Sequence, residues 1–150
     1  MQTLVKSSLI TEVPPADSAS AHAHFSEAFR FETDCWDVNH ALSTGTADFV
    51  LLDVRSPDAY AEGHIPGAVN VPHRKIVEGY MARWSRATVF VVHCAGPHCN
   101  GAHRAAIRLA ALGRPVKLMI GGMTGWLDEE FALVPGAGRD VGAEGMSPIK

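Results

Sequence analysis

Two short apolar runs most constrain what this chain can fold into: DFVLLDV at residues 48–54 and ATVFVVH at 87–93. Each has the length of a strand and little polar alternation, the pattern of a strand buried on both faces of a parallel sheet. PVKLMI at 115–120 reads as a further strand. Helical patterns lie between them. SPDAYAEG (56–63) is a short helix with Ser56 as its cap, Pro57 in the first helical position and Gly63 at its end. HRKIVEGYMARW (73–84) reads as a helix weakened at Gly79. GAHRAAIRLAAL (101–112) sets Ala102, Ala105, Ala106, Leu109 and Leu112 on one face and closes at Gly113. MTGWLDEEF (123–131) is a last short helix, and HIPGAVNVP (64–72) a loop with a brief extended piece. Upstream, ETDCWDVNHAL (32–42) has Thr33 or Asp34 as a cap, a rough stripe of Trp36, Val38 and Leu42, and Gly45 to stop it. Strands alternating with helices predict an α/β domain with a mostly parallel sheet flanked by helices. Sites in such sheets form at the carboxyl ends of strands, where the loops after Val54 and His93 lie.

The rest of the chain sets limits. Its 150 residues suit one domain with a real core, and 47% hydrophobic with 19% charged is a globular composition. A formal net charge of −3 gives no support to a nucleic-acid partner, which would need a basic patch. No apolar run approaches the roughly 18–20 residues that cross a membrane, so no membrane partner is expected. Residues 1–22 read as an arm, and a short helix is predicted over 16–29. The arm lacks the apolar core of a signal peptide. The globular domain is expected over 23–135 and a loose tail over 136–150. Three cysteines are too few for a disulfide framework. Without an export signal the expected compartment is a reducing cytoplasm, where thiols are more often catalytic, metal-binding or buried than paired.

The stretch HCAGPHCNGAHR (93–104) holds the chemistry. Cys94 leaves a buried strand at the sheet's carboxyl edge. Gly96 and Gly101 let the backbone turn tightly and approach a ligand. Asn100 is a good cap for the helix that follows, whose first N–H groups and dipole favour an anion at the loop. A thiolate there has a lowered pKa and is a nucleophile, and the same donors suit an anionic sulfur donor. His93, His98, His103 and Arg104 are expected to add positive charge. Arg104, a cation in a helix's first turn, opposes the dipole unless an anion compensates. Against this stands a buried structural thiol at Cys94. Cys99 is a resolving thiol, a second sulfur carrier or a plain loop residue. Cys35 is expected to pack in the core. His93, Cys94, His98, Cys99 and His103 also offer zinc ligands. Neighbours at a strand end tend to point to opposite faces, however, and no second cluster completes a tetrahedron, although His64 and His73 are candidate ligands; no metal or other cofactor is expected.

Read together, LLDVRSPDAYAEGHIPGAVNVP (51–72), VVHCAGPHCNGA (91–102) and MIGGMTGW (119–126) strongly resemble the signatures of the rhodanese-like sulfurtransferases, in that family's order and spacing. The resemblance covers roughly residues 32–133. It implies a three-layer α/β fold with a mostly parallel five-stranded sheet. It also implies that Cys94 attacks a sulfane sulfur donor, thiosulfate or a persulfide, and becomes a persulfide. The sulfur then passes to cyanide or a thiol, a protein thiol among the expected acceptors. The loop Ala95, Gly96, Pro97, His98, Cys99 and Asn100 would surround the outer sulfur, with Arg104, Asp53 and Arg55 as accessory residues. Of these, Asp53 and Arg55 are expected to pair structurally at the sheet end. His64, Pro66 and Gly67 would shape a turn, and Gly121, Gly122 and Trp126 would pack beside the loop.

The loop departs from the family pattern. Many active members carry Arg, Lys, Ser or Thr where this chain has Ala95, Pro97 and His98, which makes thiosulfate a poor expected donor. Cys99 permits a disulfide with Cys94. Three other readings compete. A phosphatase of this fold needs an Arg that follows the cysteine after five residues; that position is Asn100, so bidentate phosphate binding is missing. A binding module without catalysis and a redox sensor using Cys94 and Cys99 are the remaining two.

Overall fold

The computed structural model describes residues 6–138. Its strands are β1 (Glu32–Thr33), β2 (Val50–Asp53), β3 (Val69–Asn70), β4 (Phe90–His93) and β5 (Val116–Met119). They form one sheet in the order β1-β5-β4-β2-β3, with every pair parallel. The two apolar runs become β2 and β4, paired side by side inside the sheet with every residue buried. Successive side chains of a strand point to opposite faces, so each run feeds two cores. Val50, Leu52, Phe90, Val92 and Cys94 pack with Ile76, Met81, Ala105 and Leu109 on one side. Leu51, Val91 and Met119 pack with Cys35, Val38, Tyr60, Ile65 and Trp126 on the other. Helices α5 (Glu78–Met81) and α6 (Gly101–Ala111) supply the first face; α3 (Cys35–Thr44), α4 (Pro57–Glu62) and α7 (Gly122–Asp128) supply the second. The fold is the expected α/β arrangement.

The chain divides into two compact units, residues 1–30 and 31–150. The first carries α1 (Leu9–Glu12) and most of α2 (Ser18–Phe31), and neither helix has a buried residue. Asp17 starts α2 by accepting the Ser20 N–H at 3.0 Å. The expected loose tail lies outside the described residues from 139 onward. No helix among the described residues is long and apolar enough to cross a membrane.

Local rules explain most elements. Asp34 caps α3 through the Asp37 N–H, and Gly45 closes it in the left-handed region at φ +69°. Ser56 caps α4, with Pro57 in its first turn. Two expectations are corrected. Residues 73–84 do not form one helix: a 3₁₀ turn at His73–Lys75 and the short α5 are separated by extended Val77. Ile76, Met81 and Trp84 must all reach the same core. On one helix Ile76 and Met81 would point about 140° apart, so the chain breaks instead. Trp36 also leaves the predicted stripe; it is 57% exposed and stacks on His40, while Cys35 and Val38 face the core.

Arg114 is a structural residue with no sequence signature. Its side chain is buried and carries no carboxylate partner among the described residues. Its guanidinium instead donates to Met81 O, Trp84 O and Ser85 O at 2.8–2.9 Å, gathering carbonyls from the end of α5 and the turn after it. Charged hydrogen bonds of this kind contribute about 1.5–3 kcal/mol each, and orphaned buried carbonyls are costly. Arg114→Met is therefore expected to destabilise the fold by about 2–4 kcal/mol in urea unfolding, with no change in m-value.

Candidate active site

The carboxyl edge of the sheet gathers the motifs. At the end of β2, Asp53 is fully buried. Arg55 grips it with Nε 3.0 Å from Oδ1 and Nη2 2.7 Å from Oδ2, and its own N–H adds a bond at 3.0 Å. The same Nη2 donates to Gly63 O at 2.8 Å. Asn70 Nδ2 donates to the Asp53 and Arg55 carbonyls, both at 3.0 Å. This network ties β2, the end of α4 and β3 into one corner, as a buried carboxylate requires. His64 stacks on Tyr60 and its Nδ1 lies 2.9 Å from Tyr60 O; Gly67, at φ +86°, makes the turn that follows. Neither Asp53 nor Arg55 is hydrogen-bonded to the cysteine loop.

Cys94 lies one residue beyond β4, 7% exposed, on the α6 side of the sheet. Cys94 and Cys99 are joined as a disulfide, with Cα atoms 6.5 Å apart. The thiolate expected at Cys94 is therefore closed into a bond with the second loop cysteine. Ala95, Pro97, His98 and Asn100 are exposed, and Gly96 and Cys99 are half-buried. The sulfurs border a pocket of about 210 Å³, walled by Pro97, Ala102, His103, Leu118, Met119 and Ile120. A larger hollow of about 370 Å³ beside Asp48, Phe49 and Val89 contains no cysteine or histidine.

The loop is held through its carbonyls. Met123 N–H donates to Cys94 O at 3.1 Å, Thr124 N–H to Ala95 O at 2.9 Å, and the Thr124 hydroxyl to Ala95 O at 3.2 Å. The otherwise unpaired first amides of α7 are spent on the cysteine loop. Sequence reasoning missed Thr124; the only hint was its place just after the Gly121–Gly122 pair. The approach is close. A methyl at Gly122 would stand 2.6 Å from Cys94 O and 2.8 Å from Gly96 N, at φ +57°.

Three expectations change. Asn100 does not cap α6 with its side chain. Its φ, ψ of −94°, 9° lie outside the extended region a cap uses, and Oδ1 instead accepts Arg104 Nε at 3.1 Å. The α6 amide nearest the loop serves the other sulfur: Gly101 N–H donates to Cys99 Sγ at 3.4 Å. His93 adds no charge. It is fully buried, and burial pushes its pKa down, against the opposing pull of Asp53. In the neutral ring, a proton on Nδ1 donates to Cys94 O at 3.3 Å, while Nε2 stands 3.9 Å from Asp53 Oδ2. Arg104, also expected as a cation there, is exposed and bonded to Asn100 at the end of the loop. Arg108, Arg74 and Arg104 act with burial to lower the pKa of His73.

Cys35 is in the core, as expected. Its thiol donates to Gly122 O at 3.5 Å and Ile120 O at 3.6 Å. Burial, reinforced by Asp34 and Glu129, pushes its pKa up from 9.0 to about 11. Since the unfolded thiol ionises first, this contribution to stability is lost as pH rises from 9.0 toward about 11. In reduced protein at pH 8, iodoacetamide is expected to alkylate Cys99 and to spare Cys35 until denaturant is added, as peptide mass mapping will show. Gly122→Ala is expected to cost about 2 kcal/mol or more in thermal or urea unfolding and to loosen the loop, because both backbone contacts must give way.

Comparisons with known proteins agree with the motifs. The family model "Rhodanese-like domain" matches residues 37–129. The crystal structure of the BH2092 protein from Bacillus halodurans is 35% identical, with a TM-score of 0.77 over 83% of this chain and 93% of that one. The crystal structure of a thiosulfate sulfurtransferase from Pseudomonas aeruginosa is 27% identical, with a TM-score of 0.60 over 76% of this chain and 22% of that one. A sequence relative, the HTH-type transcriptional regulator Rv0324 of Mycobacterium tuberculosis, is 36% identical over 80 residues. That match spans 53% of this chain but only 34% of the regulator. On the three sequence signatures, the parallel sheet and the matched span, this chain belongs to the rhodanese-like domain family.

Proposed function

We propose that this protein is a sulfurtransferase in which Cys94, once reduced, carries sulfane sulfur. The observation that supports this most is the position of the Cys94 sulfur. It stands at the carboxyl edge of a parallel sheet, on a loop that runs into a helix N-terminus, and it borders a small pocket. The Cys94 thiolate attacks the outer sulfur of a persulfide or of thiosulfate. The donor leaves as a thiolate or as sulfite, and Cys94 becomes a persulfide. An acceptor thiol or cyanide then takes the outer sulfur and restores Cys94. The guanidinium of Arg104 and the first turn of α6 favour the anionic donor and the persulfide anion. With Ala95, Pro97 and His98 in the loop, a persulfide is the favoured donor over thiosulfate, and a protein thiol is a suitable acceptor. The reading puts the protein in a reducing cytoplasm, where Cys94 is free to react.

Reduced protein is expected to form thiocyanate from a persulfide donor and cyanide. Cys94→Ser should lower that rate by on the order of 10³-fold or more. Wild-type turnover no faster than the Cys94→Ser variant, with either donor, would sink the reading and favour a binding module. The Cys94–Cys99 bond supports a second reading, a redox switch in which oxidation masks the carrier. In that case reversible loss of thiocyanate formation on mild oxidation, without any sulfur donor, is the behaviour to look for.

A further inference from the structure

We propose that the loop has a second activity: Cys99 discharges the Cys94 persulfide as sulfide and leaves the Cys94–Cys99 disulfide behind. This step rests on the carrier reading above. Four observations lead to it. The Cys99 sulfur is bonded to Cys94 Sγ, so what it reaches is the atom that becomes the inner sulfur of a persulfide. Residue 101 is glycine, and a methyl there would stand 2.8 Å from Cys94 Sγ and 3.3 Å from Cys99 Sγ. The space in which the two sulfurs meet exists because that side chain is missing. The Gly101 N–H, first of the eleven residues of α6, donates to Cys99 Sγ at 3.4 Å. A helix N-terminus bonded to a sulfur favours its thiolate, so Cys99 is poised as an attacking group. Finally, the pocket of about 210 Å³ that borders both sulfurs gives the outer sulfur a place to sit and a way out.

The step balances as follows. Cys99 gives up its proton and attacks Cys94 Sγ. The new bond joins the two cysteine sulfurs, and the bond from Cys94 Sγ to the outer sulfur breaks. The outer sulfur keeps that electron pair, takes the proton and leaves as hydrosulfide. It is reduced from sulfane sulfur to sulfide, and the two cysteine thiols are the reductant. An external dithiol then returns both cysteines to thiols and closes the cycle. An acceptor thiol competes with Cys99 for the same persulfide: attack on the outer sulfur is transfer, and attack by Cys99 on the inner sulfur is release.

The test uses the full-length chain, reduced and then freed of reductant under anaerobic conditions. One equivalent of thiosulfate or of an organic persulfide, whose leaving groups are sulfite and a thiol rather than sulfide, is added without acceptor, and intact mass and free sulfide are followed. Wild type is expected to lose two hydrogens and release one sulfide per chain. Cys99→Ser and Cys99→Ala should retain the mass of one added sulfur and release no sulfide. If wild type keeps the added sulfur as long as these variants do, the release step is wrong, and the carrier reading stands. If the disulfide forms equally fast without donor and without sulfide, the bond is plain oxidation and the proposal is overturned. If neither wild type nor the Cys99 variants take up sulfur, and none forms thiocyanate, the carrier reading falls and this step with it.

Discussion

A carboxylate with no solvent at the carboxyl edge of the sheet organises much of what surrounds it. Burying Asp53 alone would cost several kcal/mol. Arg55 meets it with both arms of the guanidinium, two residues along the chain, and carries one of them on to Gly63 O. Asn70 returns from β3 to the Asp53 and Arg55 carbonyls. The long DVR…GHIPGAVN string is thus one polar corner whose members satisfy each other. Across the sheet His93 sits in register with Asp53 and donates to the carbonyl of Cys94. The corner thus adjoins the end of β4 across the sheet.

The cysteine loop is placed as much by missing side chains as by bonds. Gly122 lets α7 approach until its amides reach the Cys94 and Ala95 carbonyls. Gly96 makes room for Thr124, whose hydroxyl would meet a methyl there at 2.5 Å. Gly101 leaves the space in which Cys94 and Cys99 meet. Two helices therefore divide the work. The start of α7 fixes the loop's carbonyls, and the start of α6 offers its first amide to a sulfur.

The electrostatics follow from burial. His93 is shut in and neutral, whereas Arg104 is exposed and donates to the neutral oxygen of Asn100, with no carboxylate partner among the described residues. Its full charge stays near the loop. Arg108 and Arg74 lie close enough to act on the same histidine, His73, as Arg104 does.

By itself the sequence determined the layered α/β fold. Continuous apolar strands bury both faces, and such strands close into a parallel sheet only with helices on each side. It also determined α3 and α4, whose caps and stops are set by neighbours in the chain, and it placed Cys94 at the carboxyl edge of the sheet. Tertiary structure decided the rest. The segment 73–84 looks helical in isolation, but the common burial of Ile76, Met81 and Trp84 breaks it. Asn100 has a capping side chain, yet the path of the loop gives it a backbone that cannot cap. Arg114 looks like an ordinary surface cation and is buried, because the carbonyls it collects come from residues about thirty positions away. The meeting of Cys94 with Cys99 depends on a glycine and on two helix ends arriving together. Local propensity acts over a few residues; these features depend on which distant groups must share one buried space, and that is known only once the chain has closed.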